Sequence, residues 1–190
     1  MFMSTRSTGV YVGRQVGSRF KFAAFGYALL PSEEVDLGEF DAEALLVHGG
    51  RIVVVTKLPG QNGDADANLG VRVFDHTTRE HLASATLTSA AGLQHKPVIA
   101  YDGLNFVAAW LDRRNGGDVD AVYLARITSD GEVLDPAGIE VARPLDGASD
   151  LAISASTRQT LITYRTLVRE APYRNERMQF VLFGERANGG

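Results

Sequence analysis

The feature that most constrains this chain is an internal repeat of 54 residues. Two acidic pairs, Asp64/Asp66 and Asp118/Asp120, lie at this interval, each inside a Gly-Asp-x-Asp segment. Further positions keep the same spacing without insertion, and this registration indicates copies of one structural unit. The matched positions are Gly49, Gly103 and Thr157; Ile52, Phe106 and Thr160; Thr56, Trp110 and Tyr164; and Arg72 and Arg126.

The best-preserved copy covers residues 96–149 and predicts four short strands. Asp102-Gly103 and Asp130-Gly131 are strong turn signals because glycine tolerates positive φ. The strand at 105–110 is apolar on both alternating sets of side chains, so we expect both of its faces to be covered. Such a four-stranded meander is unstable alone and must stack on similar sheets. The predicted strands are 98–101, 105–110, 120–127 and 139–142.

This copy also carries a recognisable residue pattern. It runs Pro97-Val-Ile-Ala-Tyr-Asp-Gly-x-Asn-Phe-Val-x-x-Trp110-x-Asp112-x-Arg114, then Asp118-x-Asp120-x-x-Tyr123-x-x-Arg126-x-x-x-Asp-Gly131-x-x-Leu-Asp135. The pattern resembles the β-propeller blades of large secreted bacterial repeat proteins, closely over 96–149, moderately over 41–95 and weakly elsewhere. The resemblance implies an all-β fold: a β-propeller or part-propeller of four-stranded antiparallel blades. It also implies an extracellular or cell-surface location and no defined activity.

Extended over the chain, the repeat predicts one propeller-like domain spanning residues 1–190. It divides into a partial blade at 1–39, blades at 40–94 and 95–149, and an incomplete blade at 150–187. Propellers usually close with about 4–8 blades, so three arrangements stay open. The chain closes as a small four-bladed ring, two chains form a ring as a homodimer, or missing blades come from another chain.

Composition limits the classes of partner. A net charge of −4 gives no indication of a nucleic-acid partner or an anionic membrane. No run approaches the ~20 apolar residues that a transmembrane helix needs. The sequence has no cysteine, which excludes disulfides and Cys-bound zinc and leaves the compartment open. No signal peptide is visible at the start of the chain.

The Gly-Asp-x-Asp loops are the candidate metal site. In a propeller, loops between second and third strands share one face with the connections between blades. Asp64, Asp66, Asp118 and Asp120 would therefore project from that face and could bind Ca²⁺, which takes six to eight oxygen ligands, with Asp112 as a further ligand. The alternative is structural: each Asp caps a turn or pairs with an arginine, Asp118 and Asp120 with Arg113, Arg114 or Arg126.

Other recurrent residues have structural explanations beside functional ones. Arg72 and Arg126 could clamp a ligand, but a repeated strand arginine more often bridges blades. Trp110 and Tyr164 could stack on a sugar, although their alternation with core residues favours packing. His95 lies in a connection between blades, where propeller ligands often approach. No nucleophile elbow, phosphate loop or dinucleotide fingerprint occurs.

Three hypotheses for function follow. The first is a non-catalytic binding or scaffold module with a protein or glycan ligand, because the repeat explains the recurrent residues and leaves no catalytic set. The second is a glycan-active hydrolase with carboxylates at the propeller axis, which needs two carboxyls about 5–10 Å apart. The third is a purely structural fragment of a larger propeller, with exposed strand edges.

Overall fold

The computed structural model describes residues 2–6, 9–25, 34–157, 159–172 and 174–184. The fold is all-β, and these residues form four antiparallel sheets that stack as the blades of a partial propeller. Within this part of the chain, no helix has the length and hydrophobicity to cross a membrane.

Each sheet is a meander in which sequential strands are neighbours. Blade one contains β1 (Phe2–Arg6), β2 (Gly9–Val16), β3 (Arg19–Phe25) and β4 (Val35–Glu39). Blade two contains β5 (Asp41–His48), β6 (Arg51–Gly60), β7 (Gly63–Asp75) and β8 (His81–Thr88). Blade three contains β9 (Gln94–Tyr101), β10 (Phe106–Asp112), β11 (Ala121–Ile127) and β12 (Ile139–Ala142). Blade four contains β13 (Ser149–Ser156), β14 (Gln159–Val168) and β15 (Asn175–Gly184).

The first blade differs from the partial blade expected from the sequence, because it has four strands. Its first strand, β1, pairs with β2 from Phe2↔Gly13 to Arg6↔Gly9. The Ser- and Arg-containing sequence of β1 lacks a clear apolar alternation. Its pairing therefore rests on backbone hydrogen bonds, which side-chain patterning does not reveal.

The first strand of every sheet lies on the inside. The strands β1, β5, β9 and β13 contact one another in sequence, β1 with β5, β5 with β9 and β9 with β13. Later strands lie progressively further out. The first strands therefore line a common axis, which is the arrangement that defines a propeller.

Apolar packing between neighbouring blades forms the core. β10 is buried along its whole length because its alternating side chains serve two interfaces. Phe106, Ala108 and Trp110 pack towards blade two, while Val107 and Ala109 pack towards blade four. A third cluster joins blades one and two through Phe20, Phe22 and Phe74, among others. Among the described residues, no core cluster joins blade four to blade one, so this part of the chain forms an open arc.

A buried carboxylate fixes the end of β10. Asp112 is fully buried and accepts a hydrogen bond of 2.8 Å from the Trp110 indole Nε1. It also accepts bonds from the backbone N–H of Arg114 at 2.8 Å and from the Arg114 guanidinium at 2.6 Å. That guanidinium stacks 4.0 Å from the centre of the Tyr123 ring. Asp112 therefore has a structural role and satisfies the one polar atom of the buried tryptophan.

We expect Asp112→Ala to destabilise the fold by about 3 kcal/mol or more, because a buried indole N–H and a largely buried guanidinium lose their partner. The Tm should fall by roughly 10 °C for a chain of this size. Urea unfolding followed by tryptophan fluorescence measures the change. The matched control is Asp118→Ala, whose side chain is fully exposed. Equal midpoints for the two variants would contradict the structural role of Asp112.

Candidate functional site

A pocket of about 350 Å³ lies at the propeller axis. Three consecutive residues from each of three inner strands line it, and the three sets occupy the same positions of the 54-residue repeat. The pocket therefore belongs to the repeat architecture and not to one irregular loop. The lining residues are Glu43, Ala44 and Leu45 on β5; Pro97, Val98 and Ile99 on β9; and Leu151, Ala152 and Ile153 on β13.

A β-bulge at the start of each inner strand shapes this pocket. The pairing of β5 with β6 shifts between Ala42 and Ala44, at Glu43. Equivalent shifts in β9 and β13 leave 96–97 and 150–151 out of register. Lys96 and Asp150, which are 54 residues apart, both have φ of +49°. Because a bulge changes the direction in which side chains point, the repeated bulges bring Glu43, Pro97 and Leu151 to the axis.

Glu43 is the single titratable residue among the nine that line the pocket. Burial raises the pKa of its carboxyl above the ordinary glutamate value. The nearby positive charge of Lys57 opposes this rise, Asp41 adds to it, and His95 opposes it. The pocket thus presents a carboxyl group that retains its proton to higher pH than an exposed glutamate. In that state the group can both donate and accept a hydrogen bond.

The sequence reasoning did not identify Glu43. It searched for residues that recur at the repeat interval, whereas Glu43 replaces apolar residues, Pro97 and Leu151, at the equivalent positions. The available signal was therefore an exception to the repeat: one acidic residue at an inner-strand position where the other copies are apolar.

A hydrogen-bonded cluster lies where β9 begins. The Nε2 atom of His95 is 2.9 Å from the Asp120 carboxylate, and the Arg113 guanidinium donates to the same oxygen at 2.8 Å. Burial alone would raise the pKa of Asp120, but the hydrogen bonds from Arg113 and His95 outweigh it and hold the pKa below its usual value. The backbone C=O of Asp120 accepts from the N–H of Ala148, so this loop contacts the next connection between blades.

Each of the four aspartates predicted as calcium ligands has a side-chain partner. Asp64 lies 2.6 Å from the Lys57 ammonium group. Asp66 accepts from the Asn62 backbone and side chain at 2.8 and 3.0 Å. Arg113 contacts Asp118 at 3.6 Å and also holds Asp120. Over the described ranges, no three Asp, Glu or His side chains are grouped as a metal site would require. The geometry favours the alternative of turn capping and ion pairing, and calcium binding stays a prediction.

The other recurrent residues contribute to packing and pairing. Trp110 and Tyr164 are buried between blades, which leaves neither ring free to stack on a sugar. Arg126 forms a two-pronged pair with Asp135 of its own blade, at 2.9 Å for both bonds. The Arg72 guanidinium lies 4.8 Å from the centre of the Phe40 ring, at the connection between blades one and two.

Comparisons with known proteins support the fold. No family model and no curated protein sequence matches the chain. Among solved structures, it resembles an α-L-arabinofuranosidase from Lactobacillus brevis with a TM-score of 0.61 and 9% sequence identity. That match covers 98% of this chain and 68% of the enzyme. A second, the GH43B protein of a Bacteroides ovatus xyloglucan locus, gives a TM-score of 0.53 at 12% identity, over 99% of this chain and 40% of the other. These neighbours are five-bladed propellers, so the likeness establishes a propeller-type fold.

We expect Ca²⁺ at about 1 mM, the range of weak extracellular sites, to leave the Tm unchanged relative to EDTA. The reason is that an incoming cation would have to displace Lys57 or Arg113 from the aspartates they hold. Differential scanning calorimetry in the two buffers measures this. A Tm that rises with calcium concentration in the wild type and not in Asp120→Asn would establish calcium binding instead.

We expect Glu43→Gln to raise the Tm at neutral pH. A carboxyl whose pKa is raised on folding contributes stability while protonated and loses it as pH rises through the folded-state pKa. Glutamine keeps the uncharged state at every pH. The difference in Tm between variant and wild type should therefore be positive near pH 7 and shrink towards zero below about pH 4, where glutamate is protonated in the unfolded chain as well.

Glu132→Gln is the matched control, since Glu132 is exposed on the turn that follows β11. Thermal unfolding of the three proteins across this pH range gives the comparison. A Tm difference for Glu43→Gln that does not vary with pH would contradict the effect of burial on this carboxyl.

Proposed function

We propose that the chain is a non-catalytic binding module that holds a glycan in the axial pocket. The observation that carries the proposal is the lining of that pocket: a repeated apolar surface with one titratable group, Glu43. Its volume lies at the small end of the usual range for ligand sites, roughly 300–1,000 Å³. One sugar unit fits this scale.

The chemistry of the pocket matches a sugar better than a charged ligand. The apolar side chains, among them Leu45, Ile99 and Ile153, suit the C–H face of a sugar ring. A protonated Glu43 offers a donor and an acceptor to neighbouring hydroxyl groups. The two enzymes of similar fold are named for arabinofuranosides and xyloglucan, which guides the choice of ligands to test.

The count of carboxyl groups argues against glycoside hydrolysis. That reaction ordinarily requires two carboxyls, about 5–10 Å apart, on either side of the scissile bond. Among the described lining residues Glu43 is the single acid. Asp120, near the start of β9, is already held by Arg113 and His95. Binding therefore uses the groups that are present, whereas hydrolysis demands one more.

A glycan-active hydrolase is the second candidate, and one observation favours it. The raised pKa of Glu43 is the property of a general acid, which must be protonated before it can protonate a leaving group. Asp41, whose charge acts on Glu43, would be the acid to examine as its partner. The extracellular location expected from the resemblance suits either candidate.

Calorimetric titration with arabino- and xylo-oligosaccharides tests the first candidate. Glu43→Ala should weaken binding by about tenfold, the effect of one lost hydrogen bond to a ligand. Glu132→Ala, far from the axis on an exposed turn, should bind as the wild type does. Absence of binding to every glycan, or equal affinity of Glu43→Ala and wild type, would contradict the proposal.

Release of nitrophenol from aryl arabinofuranosides and xylosides separates the two candidates. We expect no release by the wild type. Turnover that Glu43→Gln abolishes, while this variant still binds the oligosaccharide, would replace the binding module with the hydrolase.

A further inference from the structure

Blade four exposes an apolar face on the side away from blade three. Five large side chains of β14 and β15 point outward, and Phe180 is the most exposed of them, at 72%. On the opposite face of the same strands, Ile162 and Tyr164 are buried against blade three. β15 is also the last strand of its sheet, with no fourth strand beside it. The outward side chains are Leu161 39%, Leu167 39%, Met178 60%, Phe180 72% and Leu182 61% exposed.

The repeat identifies this face as a blade-to-blade interface. Leu161 occupies the position that Val53 holds in blade two and Val107 in blade three. Both valines are fully buried, each against the blade that follows its own. Blade four therefore continues the packing surface of the earlier blades, although the described residues contain nothing that covers it. A contiguous apolar patch of this kind on a water-soluble sheet marks an interaction site.

The open face at the other end of the arc has a different character. The side of blade one that faces away from blade two carries Arg14, Arg19 and Lys21. Arg14 pairs with Glu34 at 2.6 Å, and Arg19 pairs with Asp36. These ion pairs are solvated where they are, and an apolar partner placed on them would remove that solvation without compensation.

We propose that the apolar face of blade four binds the same face of a second copy of this chain, related by a two-fold axis. An apolar face is complementary to itself, as a two-fold interface requires. Its one cation, Arg165, is already neutralised by Asp150 at 2.5 Å and Glu176 at 3.2 Å, so the pairing buries no lone charge. Head-to-tail association would instead place apolar side chains on the ion pairs of blade one. A separate fifth blade would have to suit both dissimilar faces at once.

Light scattering behind size exclusion, over a range of concentrations, measures the assembly. We expect the wild type to give the mass of two chains. Phe180→Glu should raise the dissociation constant at least about thirtyfold, as loss of a central aromatic anchor does, and give a monomer with unchanged far-UV circular dichroism. The control is Leu145→Glu, which changes a 96% exposed leucine outside the face and should remain dimeric.

A disulfide tests the two-fold arrangement directly, because the chain contains no cysteine of its own. Thr163 lies opposite Phe180 in the middle of the face. Thr163→Cys should form a covalent dimer under mild oxidation, whereas Leu145→Cys should not.

A wild type that is monomeric at every concentration would overturn the proposal. Open-ended aggregation, or a dimer that Phe180→Glu leaves intact, would overturn it as well. Covalent dimer formation by Leu145→Cys to the same extent as Thr163→Cys would also count against a specific face-to-face contact.

Discussion

Packing of one apolar sheet face on another is the interaction on which this fold depends. No blade has a core of its own, because a meander of three or four strands is one layer thick and both of its faces are apolar. β10 shows the consequence, since each of its side chains is buried and the two sets belong to different interfaces. Stability therefore passes from blade to blade, as in other repeat proteins. The chemical character of the two terminal faces then decides what the arc does at its ends.

The same packing leaves the axis for function. The inner strands meet only along their edges, so their first residues are free to vary without disturbing the interfaces between blades. The bulges exploit this freedom, because they turn the start of β5, β9 and β13 towards the axis while the rest of each strand stays in register. One substitution at such a position, glutamate at 43 where the other copies have proline and leucine, changes an apolar cavity into one with acid–base chemistry.

The sequence predicts what recurs and misses what does not. Spacing identified the strands of blade three and its turns, since the Asp-Gly pairs and the alternation of β10 follow directly from backbone geometry. It also indicated that Asp118 and Asp120 meet arginine, which the contacts of Arg113 bear out. β1 was missed because its pairing depends on the backbone of β2. Glu43 was missed because its pKa depends on burial by two other blades, and no local pattern encodes that environment.

The two proposals share a structural element, and this has a consequence for how they relate. β13 supplies Leu151, Ala152 and Ile153 to the axial pocket, and it belongs to the sheet whose outer face is uncovered. A sheet supported on one side opens locally more readily than one supported on both, so its strands are the least constrained wall of the pocket. Covering the outer face would reduce that freedom and lower the entropy lost when a ligand binds. Linkage requires the reverse as well: a ligand that orders β13 favours association of the apolar faces. A binding site and an interface on opposite sides of one sheet are therefore coupled without any contact between ligand and partner.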